Sequence, residues 1–272
     1  MTTSAAPATS TARPEILDRI DASQRRKRTW FRIQFIAVWI GLVGALIYGL
    51  WATDNIDLEW MGTWAPFILG GTAVTVLVCV TSIILATALA IIGAISRLSS
   101  NAVVYSVASL YVSLVRGTPL LVQIFFVYFA LPQMGVRLDA LLCGILALGF
   151  NYGAYMTEVF RAGIQAVPRG QREAAQALGM PERNIMRRIV LPQAFRIVTP
   201  AIGNDFVAMI KDSALVSTIA VQELLWRAQR AGTQTFHTLQ ALLIAALVYW
   251  VLTIIFSYFQ ERLERRMARG DR

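Results

Sequence analysis

No Asp, Glu, Lys or Arg occurs between Glu59 and Arg97. That run exceeds the about 20 apolar residues a helix needs to cross the hydrocarbon core of a bilayer. Composition points the same way: of 272 residues, 56% are apolar and 15% charged, against roughly 25% charged in an ordinary soluble domain. The chain is therefore read as an all-α integral membrane protein. Its net charge of +9 would suggest nucleic acid in a soluble protein, but here it has a simpler source in basic loops flanking apolar spans, and nucleic acid is not expected as a partner.

About six transmembrane helices are expected. The first covers Ile33 to Leu50, with Trp30 and Trp51 as interface aromatics; the second covers Pro66 to Ile95. Leu98 to Leu131 is too long for one straight crossing, and Pro119 interrupts its helical bonding. An interfacial helix followed by a third span from about Pro119 to Leu131 is expected there. The fourth runs from Leu138 to about Phe160, the fifth from about Ile197 to Ile219, and the sixth from Leu239 to Phe259.

Basic residues set the orientation. With both termini inside, seven Lys/Arg precede the first span, Arg97 follows the second, seven lie between Arg161 and Arg196, and five follow the sixth span, which places twenty of the 25 on the cytoplasmic side. The N-terminal stretch MTTSAAPATSTARP reads as a disordered tail, continued by the basic run Arg25-Arg26-Lys27-Arg28 to about residue 29. Cys79 and Cys143 lie in apolar runs and read as small buried hydrophobes. His237 is the sole histidine, and a metal site needs three or four ligands, so none is expected.

The segment from Arg161 to Arg196 is the long polar cytoplasmic loop. Gly170 to Leu178 is rich in helix formers, Gly179 suits a left-handed stop, and Pro181 suits the start of a second helix. Ile185, Met186 and Ile189 would form an apolar stripe among Arg183, Arg187 and Arg188, with Pro192 ending that helix. Such a helix-turn-helix under the membrane is either an amphipathic surface loop or a docking element that fits a partner's groove.

Glu173-Ala174-Ala175, Gly179, Ile189 and Leu191-Pro192, at this spacing, resemble the Glu-Ala-Ala loop of bacterial ABC importer permeases. Gly170-Gln171, Gln193-Ala194, Arg116-Gly117-Thr118-Pro119-Leu120-Leu121, Ala154-Tyr155 with Glu158 and Arg161, Gly203-Asn204, Ile210-Lys211-Asp212 and Leu263-Glu264-Arg265-Arg266 are similar to the polar amino-acid uptake subfamily. The resemblance covers about residues 66 to 267. It implies a five-helix permease core over residues 66–260, with coupling loop 161–196. Outside that core lie an extra N-terminal helix with its outer loop, residues 30–65, and a basic cytoplasmic tail, residues 261–272. It further implies an ATPase dimer docked on the loop, a second permease copy or paralogue, and an extracytoplasmic amino-acid-binding protein, all at a bacterial plasma membrane. Where this subfamily often has Thr-Ser after Lys-Asp, this chain has Ser213-Ala214, and where it often has Ser-Ala before Ala-Tyr, this chain has Tyr152-Gly153.

Ionisable groups inside spans cost roughly 2.5–3.5 kcal/mol each to insert, so they should face a bundle interior or an aqueous path. Asn151, Tyr155 and Glu158 share one helix face. Asn204 and Lys211, seven apart, share another, and Arg116 and Gln123 repeat that spacing. With Asp212, these residues are candidates for a pathway taking a small zwitterion, Glu158 facing its ammonium and Lys211 or Arg116 its carboxylate. The alternative is mutual pairing, Lys211 with Asp212 and Glu158 with Arg161. The phosphate-loop pattern G-x-x-x-x-G-K-[ST] is absent and no nucleophile–base pair stands out. No catalytic residue and no cofactor of this chain's own are expected, and ATP would bind the partner subunit. A stand-alone secondary transporter or channel would explain the intramembrane charges but not the Glu-Ala-Ala loop, and a membrane anchor or sensor would recruit a partner without flux.

Overall fold

The computed structural model describes residues 12–52 and 56–268, which fall into two compact units divided after Asp57. The first unit is one helix, α1 (Ala12–Ala52), which contains the expected span Ile33–Leu50. Of the tail expected to be disordered over residues 1–29, residues 1–11 lie outside the described residues, and from Ala12 on the chain is helical instead. Pro14 is no obstacle there, because it falls in the first turn, where backbone N–H groups lack helical partners anyway. Phe31, Phe35 and Trp39 are all exposed and line up at successive turns, Phe31 stacked on Phe35 and Phe35 tilted against Trp39, with ring centroids 6.4 and 6.0 Å apart.

The second unit is all helical among its described residues. α2 (Leu58–Leu69) and α3 (Thr72–Arg97) together form a 40-residue apolar span. Pro66 removes a donor from this stretch, and the Gly70-Gly71 pair relaxes it. Asn101 caps α4 (Ala102–Arg116) by accepting from the backbone N–H groups of Val103 and Val104. Gly117 to Pro119 then breaks the chain, and α5 (Leu120–Phe125) with its wider and tighter continuation to Met134 leaves at 107° to α4. Asp139 caps α6 (Ala140–Ala166), the most buried of the spans. α7 (Arg169–Ala177) and α8 (Glu182–Ile185) follow. α8 passes through a π-helical turn, Met186–Val190, into α9 (Leu191–Asp212), which ends in 3-10 turns from Ser213 to Ile219. α10 (Leu224–Thr235) and the long α11 (Thr238–Ala268) complete the fold.

Among the described residues three helical stretches are long and apolar enough to cross a bilayer, and the bent α4–α5 pair makes a fourth if it crosses as one. The expected fifth span, Ile197 to Ile219, is not among them: regular helix stops at Asp212, and α9 carries Arg196, Asp205, Lys211 and Asp212.

α3 and α6 form the centre of the core. Lipid is as apolar as leucine, so close contact between helices depends on small residues and dispersion. Ala86, Ala90, Gly93 and Ala94 on α3 are buried, as are Gly149, Gly153 and Thr157 on α6. A Cβ added at Gly93 would collide with the Thr157 hydroxyl. Ser82 donates to the Ile145 carbonyl at 3.2 Å across this interface, a bond worth about 0.6 kcal/mol in such a setting. A second cluster gathers Trp60, Ile68, Leu224, Ala228, Ala241 and Ile244 from α2, α10 and α11. Between the two clusters lies Glu223, fully buried and fully bonded: its carboxylate accepts from the Trp226 N–H at 2.7 Å, the Thr75 hydroxyl at 3.4 Å and the Tyr249 hydroxyl. That satisfaction is what permits a carboxylate there.

Cys79 and Cys143 are buried and free. His237 stacks on Trp60 at 5.0 Å, and no cluster of three or more His, Cys, Asp or Glu side chains able to hold a metal occurs among the described residues.

Candidate functional site

The loop from Pro168 to Val190 folds as a compact hairpin. Gly179 is left-handed, with φ of 73°. Its N–H donates to the Gln176 carbonyl at 2.9 Å, and the Met180 N–H reaches the Ala175 carbonyl at 3.1 Å. These are the two bonds of a Schellman stop, which satisfies the otherwise unpaired carbonyls of α7. Pro181, extended at φ −67°, starts α8. Ala175 and Ile185 are buried in the hinge, while Glu173, Ala174 and Pro192 are exposed and Ile189 and Leu191 half-buried. Gln193, at the start of α9, donates to Gln171 at 3.0 Å and ties α9 to α7.

Pro192 does not end the helix, contrary to the reading from sequence. Helical backbone continues from Glu182 to Asp212, and Pro192 sits in the first turn of α9. The wide turn just before it absorbs the bond that proline cannot donate. The hairpin is thus joined to α9 with no loop between them. Its outer face carries a groove of about 410 Å³ lined by Gly170, Gln171, Ala174, Leu178 and Ile189, and Leu178 on its rim is 82% exposed.

The intramembrane polar residues form separate groups. Glu158 on α6 accepts from Arg161 at 2.8 Å and from Arg97 at the end of α3 at 3.2 Å. Arg97 also donates to Ser109 and lies 5.0 Å over the Tyr105 ring, so three helices meet at one carboxylate. The expected Glu158–Arg161 pair is therefore present, with Arg97 as a second partner.

Arg116 and Gln123 do not share a helix face, because the 107° bend separates them. Both nevertheless reach α6. Arg116 lies 5.2 Å over the Tyr155 ring, and Gln123 accepts from Asn151 at 3.2 Å while donating to the Val115 carbonyl at 2.8 Å. Gln123 thereby fastens the break after α4 to α6.

Asn204 and Lys211 stay apart from these groups. Asn204 accepts from Gln260 on α11 at 2.8 Å. Lys211 is exposed and has no ion-pair partner among the described residues. The expected Lys211–Asp212 pair is absent among the described residues; Asp212 instead accepts from the Tyr152 hydroxyl at 2.8 Å. Sequence reasoning missed Tyr152, Arg97 and Glu223. Tyr152 sits where this chain departs from the usual small residues, which was the available signal, whereas nothing local marks Glu223 as buried.

Residues 86–269 match the family described as binding-protein-dependent transport system inner membrane component. Among curated relatives, the arginine transport system permease protein ArtQ of Bacillus subtilis is 38% identical over 80% of this chain and 100% of its own length. The L-cystine transport system permease protein TcyB of the same organism is 39% identical over 78% of this chain and 91% of its own. Among solved structures, an amino acid ABC transporter crystallised with histidines matches with a TM-score of 0.73 and 36% identity, over 78% of this chain and 99% of that one. The inward-facing MetNI methionine ABC transporter shares the fold, with a TM-score of 0.58 at 16% identity over 78% of this chain and 99% of its own. On a match that runs from the middle of α3 through α6, the α7–α8 hairpin and α11, this chain belongs to the family of inner membrane components of binding-protein-dependent transport systems.

Proposed function

We propose that this chain is the permease subunit of an ATP-driven importer for polar amino acids. A separate ATPase dimer docks on the hairpin of α7 and α8, and an extracytoplasmic binding protein delivers the substrate. Two permease subunits, identical or paralogous, line the path, with both termini in the cytoplasm. The observation that carries this reading is the hairpin itself. A bent element with an exposed apolar tip, continuous with α9, is what a lever requires: force applied at Leu178 and Glu173 moves α9 without first straightening a loop. Glu173, Ala174, Ala175, Gly179, Ile189, Leu191 and Pro192 carry the docking surface and its hinge.

The candidate pathway is Arg116, Gln123, Asn151, Tyr155, Glu158, Asn204, Lys211 and Asp212. Of these, Lys211, which has no ion-pair partner among the described residues, suits a carboxylate, and Arg116 with Tyr155 offers a cation over an aromatic face. Glu158 is already held by two arginines, so its part is to fix α3 and α6 in register.

The test uses Gly179→Asp. A Cβ at Gly179 meets no atom within 4 Å, and Asp tolerates the left-handed region at a cost of about 1 kcal/mol. The variant should insert and fold, yet lose uptake, because the new carboxylate projects into the docked partner. Normal uptake with normal ATPase association would remove the docking role. Lys211→Met is expected to change uptake or substrate preference, and unchanged transport kinetics would strike it from the pathway.

A further inference from the structure

Between the end of α3 and the inner side of the coupling hairpin lies a cavity of about 790 Å³ that the transport reading does not use. Two arginines line it, Arg169 and Arg172 on α7. Arg172 is half-buried, and neither has an ion-pair partner among the described residues. A half-buried guanidinium with no carboxylate is costly unless an anion completes it. The one carboxylate in the lining, Glu182, is itself engaged by the Gln176 amide at 3.4 Å.

The remaining polar groups are donors. Ser99 accepts from the Asn101 N–H at 3.1 Å, which leaves its hydroxyl proton free, and Ser100 adds a second hydroxyl. Gln165 accepts from Arg161 at 2.9 Å through its carbonyl, so its amide hydrogens remain available. The first turn of α7 opens here without a side-chain cap, since its N-cap is Pro168, and a helix start carries partial positive charge. The apolar part of the lining is Ile95, Leu98, Ile164 and Val167, at the cytoplasmic ends of α3 and α6, with Met186 from the π-helical turn after α8.

We infer that this cavity is a binding site for a phosphate-bearing anion, with the two arginines paired to the phosphate oxygens and the serines and Gln165 completing the shell. An anionic phospholipid headgroup and a free cytoplasmic phosphate share this chemistry, and basic pockets at the cytoplasmic ends of spans suit such headgroups. The cavity touches the Glu158 network through Gln165 and Arg161, so occupancy would stiffen the junction between the hairpin and the α3–α6 pair. This inference is independent of which solute is carried.

The test uses the purified full-length permease with its copurifying subunits in phosphatidylcholine nanodiscs. Inorganic phosphate is titrated in one arm at constant ionic strength. In the other, phosphatidylglycerol replaces part of the phosphatidylcholine and retained lipid is measured by native mass spectrometry. Saturable binding in at least one arm is expected, weakened about tenfold or more by Arg169→Gln with Arg172→Gln, partly restored by Arg172→Lys, and unmoved by Arg188→Gln on the exposed face outside the cavity. Retention of phosphatidylglycerol without phosphate binding identifies a lipid headgroup, and the converse a soluble anion. No binding in either arm, or binding indifferent to Arg169 and Arg172, overturns the inference, whatever the uptake activity of the same preparation.

Discussion

The α7–α8 hairpin and the α3–α6 pair are built on opposite principles. In the hairpin, shape comes from backbone: a left-handed Gly179, two Schellman bonds and Pro181. Few side chains are buried, and a large apolar one, Leu178, is left 82% exposed. In the α3–α6 pair, shape comes from side chains too small to keep the helices apart, with Gly93 pressed against Thr157. The first region can lose a side chain and keep its form, and the second cannot gain one. On the proposed function the hairpin is a lever presented to a moving partner, which needs the first kind of construction, and the body it turns needs the second.

Substitutions that exchange these properties test the contrast, and the largest effect belongs to the core. Gly93→Leu should collapse the α3–α6 interface, because overpacking costs 1–3 kcal/mol even where neighbours can yield and here the neighbour is a buried hydroxyl. Size-exclusion profiles in detergent should show loss of the monodisperse species; a sharp peak with an unchanged Tm would mean that the interface is looser than described. Next comes Glu158→Gln, which leaves Arg97 and Arg161 without their shared carboxylate. A fall in Tm is expected with the hairpin's partner association intact, and a Tm equal to that of the parent would reduce the network to decoration. Tyr152→Phe removes one hydrogen bond to Asp212, a loss of about 0.6 kcal/mol, at most about 1.7, read as a small fall in thermal stability. Leu178→Ser should not lower Tm at all, yet should weaken ATPase association about tenfold in a pull-down titration. If instead it destabilises the chain, Leu178 packs internally and the comparison fails.

How much of this could be read from residues alone follows the same division. The hairpin was legible because Gly179 and Pro181 act through their own backbone angles, which need no distant neighbour. Pro192 misled for a physical reason: a proline breaks an ordinary interior α-helical turn, but the wide turn over Met186–Val190 takes up the bond it cannot donate, and that turn has no sequence mark. Arg116 and Gln123 were paired by their seven-residue spacing alone, although the Gly-Thr-Pro break lies between them. Their meeting with α6 is tertiary, as is the choice of Tyr152 over Lys211 as partner of Asp212. The Ser-, Thr- and Ala-rich stretch that argued for disorder lies, up to residue 11, outside the described residues, and the helical run from Ala12 corrects the extension of that tail to residue 29, since the following Glu, Leu and Arg carry ample helix propensity. Lipid-facing apolar runs announce that spans exist, but which polar groups meet inside depends on helix rotation, which hydropathy does not record.

The five residues Met186–Val190 give the helix one more residue per turn than its neighbours. An α-helix advances about 100° per residue, so that extra residue acts as an angular offset between the hairpin and α9. Deleting a single residue from the segment would let it relax to ordinary pitch and swing Leu178 and Glu173 about a quarter-turn around the axis. With Arg187 as the residue removed, the chain would keep every side chain of its proposed docking surface and aim it at the wrong azimuth.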